Sequence, residues 1–247
     1  MKALLTAALL AATALPATAF DPAAMSDTEK AAFGAAVRDY LMANPDVLVE
    51  AINVLEARRV ADESKNDKLL VENNKAALFD DGHSWVGGNP EGDITLVEFF
   101  DYRCGYCKQV NPQLEQLMQS DGKVKVILKE FPILTAESEL AAKFAVAVQQ
   151  VSGPEAYKKV HDALMANRGP VNLETLGKLA EDQGLDRKAV LDRMNGEEVM
   201  AVLRANKQLA EAMSIMGTPT FIINGEMIRG VPGAGLQGAV DAARQDG

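Results

Sequence analysis

The sequence predicts an α/β fold that carries a helical insertion and is preceded by an N-terminal helical segment. Three observations lead there. The run Ile94-Thr-Leu-Val-Glu-Phe-Phe100 reads as a buried strand from its β-branched and aromatic content, and a helical pattern follows it within a few residues. A second strand pattern, Lys123 to Phe131, is separated from a later hairpin by residues 136–216, which are helical in periodicity. Ahead of the first strand, residues 26–79 also read as helix.

In chain order, the first element is a leader. Lys2, the apolar stretch Ala3 to Leu15 and the small residues of Pro16-Ala17-Thr18-Ala19 have the pattern of a secretory signal peptide, residues 1–19, with a mature start expected near Phe20. That stretch is too short to span a bilayer, and no later segment reaches eighteen unbroken apolar residues, so a soluble exported protein is expected. Ser26 is placed as an N-cap with Glu29 three residues on, and Phe33, Val37, Tyr40 and Leu41 follow at helical spacing up to about Ala43. Asn44-Pro45 marks a second helix start, with an apolar stripe of Leu48, Ala51, Ile52 and Leu55. Glu56 to Lys68 is nearly all polar, as a solvated helix or a hinge would be. This segment, residues 20–80, is small for a core of its own, so its stripe needs a partner. Self-association through residues 26–60 is favoured over packing on the rest of the chain.

Residues 81–247 form the second domain. The Gly87-Gly88-Asn89-Pro90-Glu91-Gly92 stretch reads as a turn, followed by the Ile94–Phe100 strand, a helix from Cys107 to Met118 and the Lys123–Phe131 strand. Within the insertion, apolar residues recur over 140–148, 157–165, 173–182 and 188–213, broken at Gly153-Pro154, Gly169-Pro170 and Gly184. Thr220–Ile223 and Glu226–Arg229 make a hairpin about Asn224-Gly225, and Gly233 to Arg244 closes the chain as a helix.

The chemistry is concentrated in Cys104-Gly105-Tyr106-Cys107, which holds the only two cysteines of 247 residues. Two intervening residues at a helix start let both sulfurs close a small ring, and the unpaired N–H groups of the first turn favour a thiolate on the first sulfur. An exported chain with a single pair has no disulfide framework for stability, which leaves both sulfurs available for exchange. Cys104 is the expected attacking thiol and Cys107 the resolving one. A static disulfide would close almost no loop and stabilise little. Zinc needs four ligands, and His83 and His161 lack ligand spacing. A net charge of −10 argues against a nucleic-acid partner.

Glu98-Phe99-Phe100-Asp101-Tyr102-Arg103-Cys104-Gly105-Tyr106-Cys107-Lys108 and Gly217-Thr218-Pro219-Thr220-Phe221 together resemble the DsbA-like thioredoxin-fold family of periplasmic disulfide oxidoreductases, over residues 84 to 247. Phe33 to Arg59 resembles the N-terminal segment of the trimeric ScsC-type isomerases of that family. The resemblance implies a thioredoxin fold, a periplasmic location and a dithiol mechanism with no cofactor and no metal. It implies a cis-proline at Pro219 facing the dithiol, with Thr218 presenting its backbone to an extended substrate, and a buried acid at Glu98 able to accept the Cys107 proton. Lys129 and Lys125 are both candidate partners of that acid. Gly105 and Tyr106 are read as substrate-contacting residues. Strongly oxidising members carry Pro-His between the cysteines; Gly105-Tyr106, and Thr218 before the proline, are as in the isomerases.

Three functions remain open on this reading. The leading one is a disulfide isomerase or reductase acting on unfolded or misoxidised secreted proteins and kept reduced by a membrane redox partner. A dithiol oxidase is the rival, and a chaperone or copper-handling protein binding Cu(I) through the dithiol is the reading from a different class. The methionines, His83, His161 and Trp85 are assigned to packing or surface roles.

Overall fold

The computed structural model describes residues 25–245, so the signal-peptide reading of residues 1–19 lies outside the described residues. The chain divides into two compact units, one up to Arg59 and one from Val60 onward.

The first unit holds α1 (Asp27–Ala43) and the first part of α2 (Asp46–Asn73). Ser26 caps α1 as expected: the Glu29 N–H donates to its hydroxyl at 3.4 Å and the Glu29 carboxylate accepts from the Ser26 N–H at 2.8 Å. At the other end the Asn44 side chain donates to the Tyr40 carbonyl, closing the helix one residue before Pro45. None of the described residues of this unit is buried. Phe33, Val37, Tyr40, Leu48, Ile52 and Leu55 are all exposed.

In the second unit the remainder of α2, from Val60 to Asn73, is helical. Its Asp67 accepts two hydrogen bonds from the Arg229 guanidinium at 2.5 and 2.9 Å, a bidentate geometry that fixes orientation as well as distance. α3 (Lys75–Phe79) follows, then β1 (Trp85–Gly88), β2 (Ile94–Phe100), α4 (Gly105–Ser120) and β3 (Val124–Glu130). The insertion comprises α5 (Ala136–Ser152), α6 (Pro154–Ala166), α7 (Leu173–Asp182), α8 (Arg187–Arg193) and α9 (Glu197–Ala212). β4 (Thr220–Ile223), β5 (Glu226–Arg229) and α10 (Gly235–Gln245) complete it.

The sheet has the order β1-β3-β2-β4-β5. β2 lies at its centre, parallel to β3 and antiparallel to β4. A central strand covered on both faces explains the near-continuous apolar run that marked β2 in the sequence. Its side chains alternate: Leu96 and Phe100 join a large cluster with Leu114, Phe144 and Val160, while Val97 and Phe99 join a smaller one with Val71, Leu78, Leu209 and Met213. The same alternation puts Glu98 on the face of Leu96 and Phe100, beneath α4.

Two elements differ from the sequence reading. Gly87 and Gly88 do not form a turn but end β1, which pairs antiparallel with β3 from Trp85 opposite Leu128 to Gly88 opposite Lys125. The 188–213 stretch is two helices, because the chain breaks at Gly196, which caps α9. Gly88 is required where it stands: its φ is +69°, and a Cβ there would lie 2.2 Å from the Val124 carbonyl oxygen. Gly88→Ala is therefore expected to lower stability by about 1–3 kcal/mol, read as a lower midpoint in thermal unfolding; an unchanged midpoint would show that the strand end gives way freely.

Candidate active site

β2 delivers the chain to the short Asp101-Tyr102-Arg103 connection, and Cys104 is the N-cap of α4, with extended backbone at φ −71° and ψ 119°. A capping position aims a side-chain acceptor at the free N–H groups of the first turn. Here the acceptor is sulfur: the Cys107 N–H donates to Cys104 Sγ at 3.3 Å. On its other side the Cys104 thiol donates to the Thr218 carbonyl at 3.3 Å. The Thr218–Pro219 peptide bond is cis, as expected. Both cysteines are free thiols and both are buried.

The environments of the two sulfurs drive them apart. The hydrogen bond from the Cys107 side chain, joined by the backbone N–H groups of Cys107 and Tyr106, outweighs partial burial and lowers Cys104 to about 6. Cys107 is pushed strongly upward by that same hydrogen bond, by burial and by the charge of Glu98. At neutral pH the site thus holds one thiolate and one thiol, which is the division of labour that thiol–disulfide exchange requires.

Glu98 is 1% exposed, and both its carboxylate oxygens are buried without a hydrogen-bond partner among the described residues. Burial first, and the Cys104 charge second, raise it to about 8. Neither lysine considered for it is its partner. Lys129 lies opposite Phe99 and faces the other side of the sheet, where its ammonium donates to the Ala77 carbonyl at 2.7 Å and pairs with Asp81. Lys125 lies on the same strand, opposite Thr95 and Gly88. A buried carboxyl without a fixed partner, close enough for its charge to act on Cys107, can take that thiol's proton when ionised, which is its minority form at neutral pH.

Cys104, Cys107, Glu98, Thr218 and Pro219 are thus brought together from β2, α4 and the approach to β4. Gly105 begins α4, and Tyr106 stands 67% exposed beside the dithiol. Sequence reasoning passed over the residues that hold this arrangement in place. Asp101 accepts from the Arg103 N–H at 2.7 Å with one oxygen, and from the Ile133 and Leu134 N–H groups at 2.9 and 3.0 Å with the other. Tyr102 and Tyr157 both donate to Glu130 Oε1 at 2.8 Å. Tyr102 also lies 3.2 Å from His161 Nδ1, whose Nε2 is 3.3 Å from Asn111 on α4. Burial raises Glu130 to about 8 and lowers His161 to about 3, so the imidazole is neutral and structural. The signal available was an acid at the end of a strand whose other polar residues are Lys125 and Lys129; its partners lie 27 and 28 residues away.

Among the described residues, no group of three or more His, Cys, Asp or Glu side chains is placed to hold a metal ion, and no helix is long and apolar enough to cross a membrane.

Comparison with known proteins agrees with this architecture. Residues 95–236 match the DSBA-like thioredoxin domain family, and residues 29–61 match the copper resistance protein ScsC N-terminal domain. The chain is 29% identical over 136 residues to the thiol:disulfide interchange protein DsbA of Bordetella parapertussis, covering 54% of this chain and 65% of that protein. It is 28% identical over 145 residues to the Na(+)/H(+) antiporter NhaA 3 of Salinispora tropica, covering 59% of this chain but only 22% of that protein. Among solved structures, a thioredoxin-like oxidoreductase from Silicibacter pomeroyi is 37% identical with a TM-score of 0.64, over 70% of this chain and 98% of its own. ScsC of Proteus mirabilis in a transitional conformation is 26% identical with a TM-score of 0.65, over 92% of this chain and 100% of its own.

Proposed function

We infer the function from one premise: the chain belongs to the family of DSBA-like thioredoxin domains. From it we propose a periplasmic thiol-disulfide oxidoreductase that acts mainly as a disulfide isomerase or reductase on misoxidised exported proteins. The observation that carries the isomerase reading is the first unit, whose apolar residues lie exposed with no buried residue among those described. A second copy of the chain would cover such a face and bring several dithiols around one substrate. The match of residues 29–61 to the ScsC N-terminal domain supports the same role for that segment.

In the proposed cycle the Cys104 thiolate attacks a substrate disulfide, forming one S–S bond as another breaks and releasing one substrate sulfur as a thiolate. If that thiolate, or another substrate thiolate, attacks a substrate sulfur elsewhere and Cys104 is then displaced, the pairing is changed with no net redox. If Cys107 instead loses its proton to Glu98 and attacks Cys104, the substrate leaves reduced and the protein is left oxidised. A membrane redox partner would return it to the dithiol.

One observation favours the oxidase as a second reading. A Cys104 thiol lowered to about 6 stabilises the reduced protein, the direction in which a stronger oxidant lies. The two readings separate in one assay: recovery of activity from a substrate with scrambled disulfides, under a reducing supply, by the mature chain, its Cys104→Ser variant and a chain beginning at Val60. Recovery that needs both Cys104 and the first unit supports the isomerase. Rapid oxidation of a reduced substrate with no recovery from the scrambled one would replace it with the oxidase. The truncation belongs at Val60, since Val71 and Leu78 are part of the second unit's core.

A further inference from the structure

The loop between α6 and α7 is bolted to both sides of the dithiol. Arg103, just before Cys104, donates from Nη1 to the Gly169 carbonyl at 3.0 Å. Lys108, just after Cys107, donates to the Asn167 carbonyl. Asn167 closes the loop on itself, its Oδ1 accepting from the Gly169 N–H at 2.8 Å. With the carbonyls of Asn167 and Gly169 turned to these two cations, Arg168 between them is left exposed and has no ion pair among the described residues. Arg103, Lys108 and Arg168 are close enough to act on one another: burial, then the charges of Arg103 and Arg168, lower the Lys108 ammonium.

The carboxylates nearby are already committed. Asp101 accepts three backbone N–H groups, and Glu137 pairs with Arg103 at 3.1 Å. Three cations, Arg103, Lys108 and Arg168, against these two carboxylates leave a local excess of one positive charge beside the dithiol of a chain whose net charge is −10. Lys108 is almost buried and held by a carbonyl, and Arg103 is engaged twice, so Arg168 is the cation available to an arriving ligand.

Resting on the oxidoreductase reading, we propose that Arg168 makes the redox site favour substrate segments that carry a carboxylate beside the reacting cysteine. The ligand is an extended acidic stretch of an exported protein, drawn to the loop by Arg168 while its cysteine meets Cys104. The charge of Lys108 behind the loop adds to the attraction, while that of Arg103 is offset by Glu137; a segment with lysine in that position is repelled.

The test uses the reduced mature protein and three cyclic disulfide peptides, identical except for Asp, Asn or Lys beside each cysteine. Reduction rates are normalised to those with dithiothreitol, which removes the peptides' own reactivity. At low salt the Asp peptide should react about 5-fold faster than the Lys peptide, and about 1 M salt should remove most of that preference. Arg168→Gln should cut the ratio by at least half and Arg168→Glu should reverse it, while Lys188→Gln, a distant surface control, leaves it unchanged. An Asp-to-Lys ratio that is the same in wild type, Arg168→Gln and Arg168→Glu would overturn the inference. Failure to reduce any of the three peptides would overturn the oxidoreductase reading and this inference with it.

Discussion

Replacing Cys107 with serine leaves the first attack intact and stops the second, so the protein accumulates as a mixed disulfide with its substrate. Net reduction of substrate should fall by at least about 10³-fold, because an intramolecular displacement is replaced by the slow arrival of an external thiol. Mass spectrometry under non-reducing conditions should find the adduct on Cys104. Serine and alanine at this position are expected to differ in one respect. The Cys107 side chain donates to the Cys104 sulfur, and this is the leading cause of the lowered Cys104 thiol. A serine hydroxyl preserves a donor there, whereas alanine removes it and should raise Cys104 by about one unit. Equal thiolate titrations in the two variants would show that the backbone N–H groups, not this side chain, hold the charge.

Glu98→Leu should make the folded, reduced protein more stable and a slower catalyst. The carboxyl is fully buried with no hydrogen-bond partner among the described residues, so an apolar side chain of similar size should gain about 1–3 kcal/mol near neutral pH. The gain has a defined pH dependence. The folded carboxyl titrates near 8 and the unfolded one near 4.3. A raised folded value means that Glu98 is best tolerated below about pH 4.3 and becomes progressively more destabilising up to about pH 8. The stability gap between variant and wild type should therefore widen across that window and level off above it. Glu130 and Cys104 titrate in both proteins and largely cancel in the difference. Release of the mixed disulfide by Cys107 should slow by about 10- to 100-fold, since the buried base is gone. A gap that stays flat with pH in urea unfolding would contradict the assignment of the raised carboxyl to Glu98.

What could be read from the sequence depended on how local each signal was. The Ser26 cap, the β2 run, the Asn224-Gly225 hairpin and the dithiol at a helix start are each written within a few adjacent residues, and the structure places them where their patterns pointed. β1 was hidden because its glycines have the composition of a turn, although Gly87 makes room for the Trp85 ring and Gly88 for the Val124 backbone. The partner of Lys129 was hidden for a different reason. Strand alternation separates positions 98 and 129 to opposite faces of the sheet, and this follows only once the β2–β3 register, Phe99 opposite Lys129, is known. The Tyr102–Glu130–Tyr157 cluster joins three separate elements, so no single stretch of sequence announces it. Arg168 has the composition of an ordinary loop residue, and only the anchoring of its neighbours to Arg103 and Lys108 gives it a place beside the dithiol.

α4 and Cys107 together make Cys104 a thiolate at neutral pH while Cys107 stays protonated. The most direct test is the pH dependence of alkylation at each cysteine of the folded, reduced protein, resolved by peptide mass spectrometry. The Cys104 rate should rise with a midpoint near pH 6, with Cys107 protected throughout. A Cys104 midpoint at the ordinary thiol value of about 8.5, or alkylation of Cys107 as fast as Cys104, would contradict it.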